Sequence, residues 1–240
     1  MHRRIISALA LVGLLAACSP ASNAPDYDPW EPMNRQIFAF NEVVDGAIIE
    51  PAARGYRYVM PEAGRKGVDN FLKNLGEPVN MLNAALQGEG TQAMKSFWRF
   101  ILNTTFGLAG FTDFAGEYGN LPYQKEDFGQ TLAVWGVDSG PYLVLPILGP
   151  SSVRGVSGRV VDGFTDPFNY VLADPDVCDG DDCLLLRGVV TGLVEREKLL
   201  DTMDAVYEDS FDPYATIRSA YVQKRNALIK NREPKGPLAE

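Results

Sequence analysis

The sequence predicts an all-α fold built as a single compact domain. Apolar residues recur at spacings of three and four through most of the chain, Asp-Pro pairs suited to helix starts stand at two places, and no run alternates apolar with polar as a half-buried strand would. Composition agrees: 240 residues, 46% hydrophobic and 22% charged, is ordinary for one globular domain.

The elements follow in order. Asp28-Pro29-Trp30-Glu31 predicts a helix start, with Asp28 as cap, Pro29 in the first helical position and Glu31 completing a capping box. Met33, Ile37, Phe40, Val44 and Ile48 continue that helix, with Phe38 beside them. Residues 61–75, 78–86, 91–105, 151–172 and 182–207 also carry helical periodicity, with Gly or Pro in the gaps. Residues 131–148 are apolar but broken by Gly136, Gly140, Pro141 and Pro146, which predicts extended or turning chain. Gly140-Pro141 and Gly149-Pro150 mark turns, whereas Gly155, Gly158 and Gly163 suggest close packing of the helix that carries them. Asp212-Pro213 opens the last helix, continued by Tyr214, Ile217, Tyr221 and Leu228.

The N-terminus predicts the compartment. Met1-His2-Arg3-Arg4 is basic, and residues 5–17 form an apolar run too short to span a bilayer but suited to a signal peptide. The run ends in Leu15-Ala16-Ala17-Cys18, which resembles a bacterial lipobox, so Cys18 is the expected site of lipid attachment. The domain plan is a signal peptide at 1–17, a lipidated tether at 18–27, a helical domain at 28–230 and a flexible tail at 231–240. Ser19 after the lipidated cysteine, in place of Asp, points to the periplasmic leaflet of the outer membrane.

Processing sharpens what chemistry is left. Cleavage removes two arginines and His2, the single histidine, and takes the net charge from −9 to −11. No catalytic His, His-ligated zinc or Ser-His-Asp site is then available, and no metal or cofactor is expected. Paired carboxylates are the acid–base set that remains, with Glu126-Asp127 the best candidate. Adjacent residues rarely converge on one substrate atom, so the expectation is a protein without catalytic residues. An acidic chain gains little from counterion release, which disfavours nucleic acid as a partner. Cys178 and Cys183 flank Asp-Gly-Asp-Asp and are expected to close a small disulfide loop. The acids around them lack the register of a calcium loop.

Charge and apolar patches are both uneven. Residues 166–212 hold 3 basic and 13 acidic side chains, a net −10, which predicts a face turned away from anionic head groups. Residues 97–111 are apolar and aromatic with one charge, and residues 142–148 and Phe38 and Phe40 add to them. Beside a lipid anchor, and with no run of eighteen apolar residues, these predict a monotopic protein half-embedded in the membrane.

These motifs together resemble a known family. Asp28-Pro29-Trp30-Glu31-Pro32-Met33-Asn34-Arg35, then Ile37-Phe38-Ala39-Phe40-Asn41, resembles the opening of the MlaA (VacJ) family of outer-membrane lipoproteins. The likeness continues through Asn70-Phe71, Glu77-Pro78, Leu86-Gln87-Gly88, Arg99-Phe100 and Gly110-Phe111-Thr112-Asp113. Beyond these come Glu126-Asp127-Phe128-Gly129-Gln130, Trp135-Gly136-Val137, Gly149-Pro150-Ser151-Ser152 and Asp212-Pro213-Tyr214, so that roughly residues 26–225 are covered. The resemblance implies a ring-shaped helical domain in the inner leaflet of the outer membrane. It implies an outer-membrane component of retrograde phospholipid transport that draws mislocalised phospholipid through an amphipathic pore and keeps the membrane asymmetric. A porin trimer and a soluble periplasmic phospholipid carrier are the implied partners. The energy source lies elsewhere, in agreement with the lack of a phosphate-binding loop in the sequence. The family's gating element matches residues 37–45, which makes Phe38, Phe40, Asn41, Glu42 and Asp45 candidate pore or gate residues. The alternative for that segment is a first helix that packs the ring, and for the whole protein a lipoprotein that scaffolds a porin without moving lipid.

Overall fold

The computed structural model describes residues 28–174, 176–177 and 182–230. The described chain is helical apart from one hairpin: α1 (Glu31–Val44), a π-turn (Asp45–Ile49), α2 (Glu50–Val59), α3 (Glu62–Leu86), α4 (Gly90–Thr105), α5 (Phe114–Glu117) and α6 (Phe128–Val134). Strands β1 (Tyr142–Leu145) and β2 (Gly149–Ser152) follow, then α7 (Val153–Thr165), α8 (Pro167–Leu172), α9 (Asp182–Lys198), α10 (Leu200–Asp209) and α11 (Pro213–Ile229). Among the described residues no helix is long and apolar enough to cross a membrane.

The first helix starts later than its motif predicts. Asp28 does not cap it; Trp30 holds the cap position without a side-chain bond. The Asp28 carboxylate instead accepts from Asn34 at 2.8 Å, from Arg218 at 3.3 Å and from the Tyr214 hydroxyl, tying α1 to α11. A carboxylate that can reach a guanidinium and a buried phenol gains more there than at an exposed helix end. The π-turn lies directly before Pro51, which has no N–H to return to the preceding turn, so widening that turn relieves the mismatch.

Proline decides two other boundaries in opposite ways. Asp166 precedes Pro167, takes an extended conformation and caps α8 by accepting from the Phe168 N–H at 3.0 Å; the predicted helix over 151–172 is therefore two helices. Pro78, expected to separate two helices, instead sits inside the continuous α3, whose neighbour α4 packs along it on both sides of the proline. The predicted helix over 182–207 is interrupted at Leu199. Asp212 caps α11 as expected, accepting from the Ala215 N–H at 3.2 Å.

The hairpin begins within residues 131–148, where the sequence predicts extended or turning chain, and its second strand takes Ser151 and Ser152 from the predicted helix over 151–172. Tyr142 pairs with Ser152 and Leu145 with Gly149, so each strand is four residues, too short for alternation to stand out in the sequence. Part of residues 131–148 is helical instead, since α6 reaches Val134. Two asparagines seven residues apart on α1 bind the exposed edge of β1 as a neighbouring strand would. Asn34 donates to the Tyr142 carbonyl at 3.0 Å and accepts from the Val144 N–H at 2.9 Å. Asn41 donates to the Leu145 carbonyl at 2.9 Å and accepts from the Ile147 N–H at 2.7 Å. Tyr142, Val144 and Tyr214 form a small apolar core beneath, with Ile37, Phe38 and Tyr221 against it. Replacing Asn41 with Ala is expected to cost about 1 kcal/mol and to release the turn that contains Ile147. Hydrogen exchange at Ile147 would then rise; unchanged protection would show that the turn holds itself.

Candidate functional site

The pair α3–α4 buries the wrong kind of residue for a protein surrounded by water. On α4 the buried positions are Gln92, Ser96, Arg99 and Asn103, one face at spacings of three and four. On α3 they include Asn74, Glu77, Asn80 and Asn83. The opposite faces expose Leu82, Leu86, Met94, Phe97 and Trp98, and the chain after α4 exposes Phe106, Leu108, Phe111 and Tyr118. The amphipathicity is inverted: polar stripes meet inside, and aromatics face out.

Arg99, Glu77, Asn103 and Asp113 bind one another, whereas Asn74 Oδ1 and Gln92 Nε2 are buried without a hydrogen-bond partner among the described residues. Arg99 is 2% exposed; its Nε donates to Glu77 at 2.6 Å, its Nη2 pairs with Asp113 at 3.0 Å and its Nη1 donates to the Leu121 carbonyl. Burial pushes the Glu77 carboxyl up, against the pull of Arg99. Asp113 also caps α5 and accepts from Asn103 at 3.0 Å. The turn that closes α4 is tight: Gly110 has φ of 101°, and a Cβ there would stand 2.6 Å from the Asn74 side chain.

Next to this pair lies a half-enclosed cavity of about 300 Å³. One face of α3 lines it with Asp69, Leu72, Lys73, Gly76, Val79 and Asn80, positions that recur at helical spacing. Tyr123, Lys125, Glu126 and Asp127 come from the segment before α6, Asp162, Gly163 and Asp166 from the end of α7, and Arg187, Thr191 and Glu195 from α9. Gly76 and Gly163 keep the space open, since a Cβ at either would meet no atom within 4 Å.

The carboxylates of this cavity are held in two ways. Burial alone would raise the Asp127 carboxyl, but Arg225 donates to both of its oxygens, at 2.6 and 3.0 Å, and the Gln130 N–H adds another bond at 2.9 Å, so it is held at about 2. Glu126 and Asp162 have no such cation: burial raises both, and their hydrogen-bond donors are neutral. Glu126 accepts from Gln87 at 3.0 Å and Gln124 at 2.8 Å; Asp162 accepts from Asn83 at 2.9 Å and the Phe128 N–H at 3.0 Å.

The shift at Asp127 sets a pH limit. A carboxyl held below its ordinary 3.8 in the folded state contributes stability that is full above that value and is lost as pH falls towards 2. That contribution is on the order of 2 kcal/mol at neutral pH. Glu77, Glu126 and Asp162 work the other way, since raised carboxyls favour the folded state on acidification. Asp127→Asn is therefore expected to flatten the loss of stability between about pH 4 and pH 2. An unaltered acid limb in thermal unfolding would show that Asp127 does not control it.

None of the five candidate pore residues of α1 lines this cavity. Phe38 packs edge-on against Tyr214 at 5.6 Å, and Asn41 holds the hairpin turn. Phe40 is exposed, Glu42 lies beside Tyr207, and Asp45, at the start of the π-turn, receives the guanidinium of Arg196 at 2.7 Å. Glu126 and Asp127 diverge, the first towards Gln87 and Gln124, the second towards Arg225. Cys18 and Cys178 lie outside the described residues; Cys183 is disulfide-bonded. Of the three glycines expected to pack closely, Gly158 does, with Gly129 against it, and so does Gly155, with Ser151 and Tyr221 against it, whereas Gly163 fronts the cavity.

Part of the acidic stretch is engaged in ion pairs. Asp166 pairs with Arg187, Glu197 with Arg57 and Arg65, Asp201 with Arg57, Asp204 with Arg54 and Asp212 with Arg35. Arginines of α2 and α3 bind acids of α9 and α10, and Arg35 of α1 binds Asp212 at the start of α11, so four acids of the stretch are paired with arginines from outside it. Sequence reading did not single out Lys73, Asn80, Asp162 or Arg187 as site residues. Polar residues at helical spacing opposite aromatics, as in Gln92, Ser96, Arg99 and Asn103, are the signal that marks such an interior.

Known proteins resemble this chain in sequence and fold. Residues 26–228 match the family described as MlaA lipoprotein. The intermembrane phospholipid transport system lipoprotein MlaA of Escherichia coli K12 is 37% identical over 239 residues, 96% of this chain and 90% of that one. Its Haemophilus influenzae counterpart is 35% identical over 222 residues, 91% and 86% of the two chains. An uncharacterized protein of Rickettsia bellii is 41% identical over 206 residues, 85% and 77% of the two chains. A solved structure from work on the structural basis for maintenance of bacterial outer membrane lipid asymmetry superposes with a TM-score of 0.74 at 36% identity, over 84% of this chain and 98% of that one. Matched across most of its length by family, relatives and fold alike, the chain belongs to the MlaA lipoprotein family.

Proposed function

We propose that this protein is an outer-membrane lipoprotein of retrograde phospholipid transport, which takes mislocalised phospholipid from the outer leaflet and passes it to a soluble periplasmic carrier. The observation that carries this reading is the inverted pair α3–α4 beside a cavity lined by charged side chains. In hydrocarbon, exposed Phe97, Trp98 and Phe106 are at home, while an unpaired polar group is costly and must find a partner inside. A phospholipid crossing the membrane needs the same division, with polar groups for its head and hydrocarbon for its tails.

Several further assignments belong to this reading. Cys18 carries the lipid that anchors the chain in the periplasmic leaflet, Cys183 is bonded to Cys178, and a porin trimer is a partner in the outer membrane. The head group travels through the α3–α7–α9 cavity, and Asn41, Glu42 and Asp45, at the hairpin and the π-turn, belong to the element that gates it. The protein acts by passage, without catalysis.

The cavity supplies the test. Gly76→Leu fills open space on α3 without meeting another atom at Cβ, so the fold is kept and the passage narrowed. In cells whose only copy is the Gly76→Leu protein or the Cys18→Ala protein, phospholipid at the cell surface is expected to rise several-fold, with greater detergent sensitivity. Surface phospholipid at the wild-type level in the Gly76→Leu cells, with the protein present in normal amount, would refute passage through this cavity. A porin-bound protein that moves no lipid in either form would favour the scaffolding alternative.

A further inference from the structure

The charges that line the cavity are not all met by partners. Asp69 is paired with Lys73 and Lys198, Asp127 with Arg225, Asp166 with Arg187, and Glu195 with Lys198. Glu126 and Asp162 receive hydrogen bonds from Gln, Asn and backbone donors alone. They also stand at the two ends of one chain of bonds. Gln87 donates to Glu126 at 3.0 Å and to the Thr131 hydroxyl at 3.3 Å, Thr131 donates to Asn83 at 2.9 Å, and Asn83 donates to Asp162 at 2.9 Å. That chain fixes both carboxylates in the wall, where they cannot turn away to find a cation. Lys125, exposed on the same cavity, is the cationic group nearest in sequence to both Glu126 and the α6 start.

The lining as a whole carries six carboxylates, at Asp69, Glu126, Asp127, Asp162, Asp166 and Glu195, against three cations, at Lys73, Lys125 and Arg187. A cavity of about 300 Å³ is at the low end for small-molecule sites, which suits a head group and leaves no room for acyl chains. An anionic head group entering this space brings a charge of the sign already in excess. A head group with both a phosphate and an ammonium adds no net charge, and its ammonium can stand beside Glu126 and Asp162 while its phosphate meets Lys125. Burial makes those two carboxylates costly to keep ionised alone, and a cation beside them relieves that cost.

We propose that this cavity favours phospholipids with a zwitterionic, ammonium-bearing head group over those with an anionic one. The inference rests on the reading of the cavity as a head-group passage. It is tested with the lipidated protein in vesicles of equal phosphatidylethanolamine and phosphatidylglycerol, carrying a trace of one or the other labelled with a fluorophore on an acyl chain. Quenching by dithionite reads how fast each labelled lipid crosses. Phosphatidylethanolamine is expected to cross about tenfold faster than phosphatidylglycerol, the effect of roughly 1.4 kcal/mol. The double substitution Glu126→Gln, Asp162→Asn should bring the ratio close to one. Thr191→Lys, which adds a cation at an exposed position of the lining and leaves the open space at Gly76 unfilled, should lower the ratio as well. Equal rates in the wild-type protein, or a preference unchanged in both variants, overturn the inference and leave passage itself standing. If neither lipid crosses faster than in protein-free vesicles, the passage reading fails and takes this inference with it.

Discussion

Arg99→Met is expected to destabilise the protein by about 3–5 kcal/mol, since it leaves Glu77 ionisable and without its cation. Both side chains are closed to solvent, and the bond between them is 2.6 Å. Arg99 also holds Asp113 and the Leu121 carbonyl, so its loss loosens the cap of α5 and the chain that leads into the cavity. The informative companion is the double variant Glu77→Leu, Arg99→Met, which removes both charges. A buried pair replaced as a unit by apolar side chains is often close to neutral, whereas one broken in half is not. The double variant should therefore unfold well above Arg99→Met in temperature when both are compared in detergent. If the single variant melts with the wild type, Glu77 has another way to shed its charge and the polar stripe of α3–α4 is not held by this pair.

Gly158→Ala should cost about 3 kcal/mol by overpacking. A Cβ at Gly158 would stand 2.3 Å from the Gly129 nitrogen and 2.7 Å from its Cα, and backbone cannot swing aside as a side chain can. Helices α6 and α7 must separate to admit the methyl group. That strains the bond from the Phe128 N–H to Asp162 and the grip of Arg225 on Asp127, and so reaches the cavity wall. Gly163→Ala on the same helix is the control: its Cβ meets nothing within 4 Å, and alanine favours the helix by up to about 1 kcal/mol. Equal melting temperatures for the two variants would mean that the α6–α7 contact yields more easily than its distances indicate.

The two glycines illustrate how far sequence reading extends. Gly158 and Gly163 stand in one helix with nothing local to tell them apart, yet one touches backbone and the other faces open space. The same holds for the prolines. Pro167 ends a helix because Asp166 is free to turn and cap, while Pro78 sits inside α3, which runs on and packs against α4. Asn34 and Asn41 read as ordinary polar positions of an amphipathic helix, and their binding to the β1 edge depends on residues more than one hundred positions away. Such side chains carry no periodic signal that separates a backbone partner from solvent.

Helical character and the lipobox-like pattern at Leu15-Ala16-Ala17-Cys18 are legible in short-range patterns: spacing, caps and residue type along the chain. The cavity is not, because its wall is assembled from four stretches, within 69–80, 123–127, 162–166 and 187–195, that meet only once the helices have packed. Charge divides in the same way. A net −10 over residues 166–212 follows from counting, but arginines of α1, α2 and α3 pair with four of its acids across the fold. Glu126 and Asp162 form no ion pair among the described residues, a matter of distance in space that a linear sequence does not encode locally.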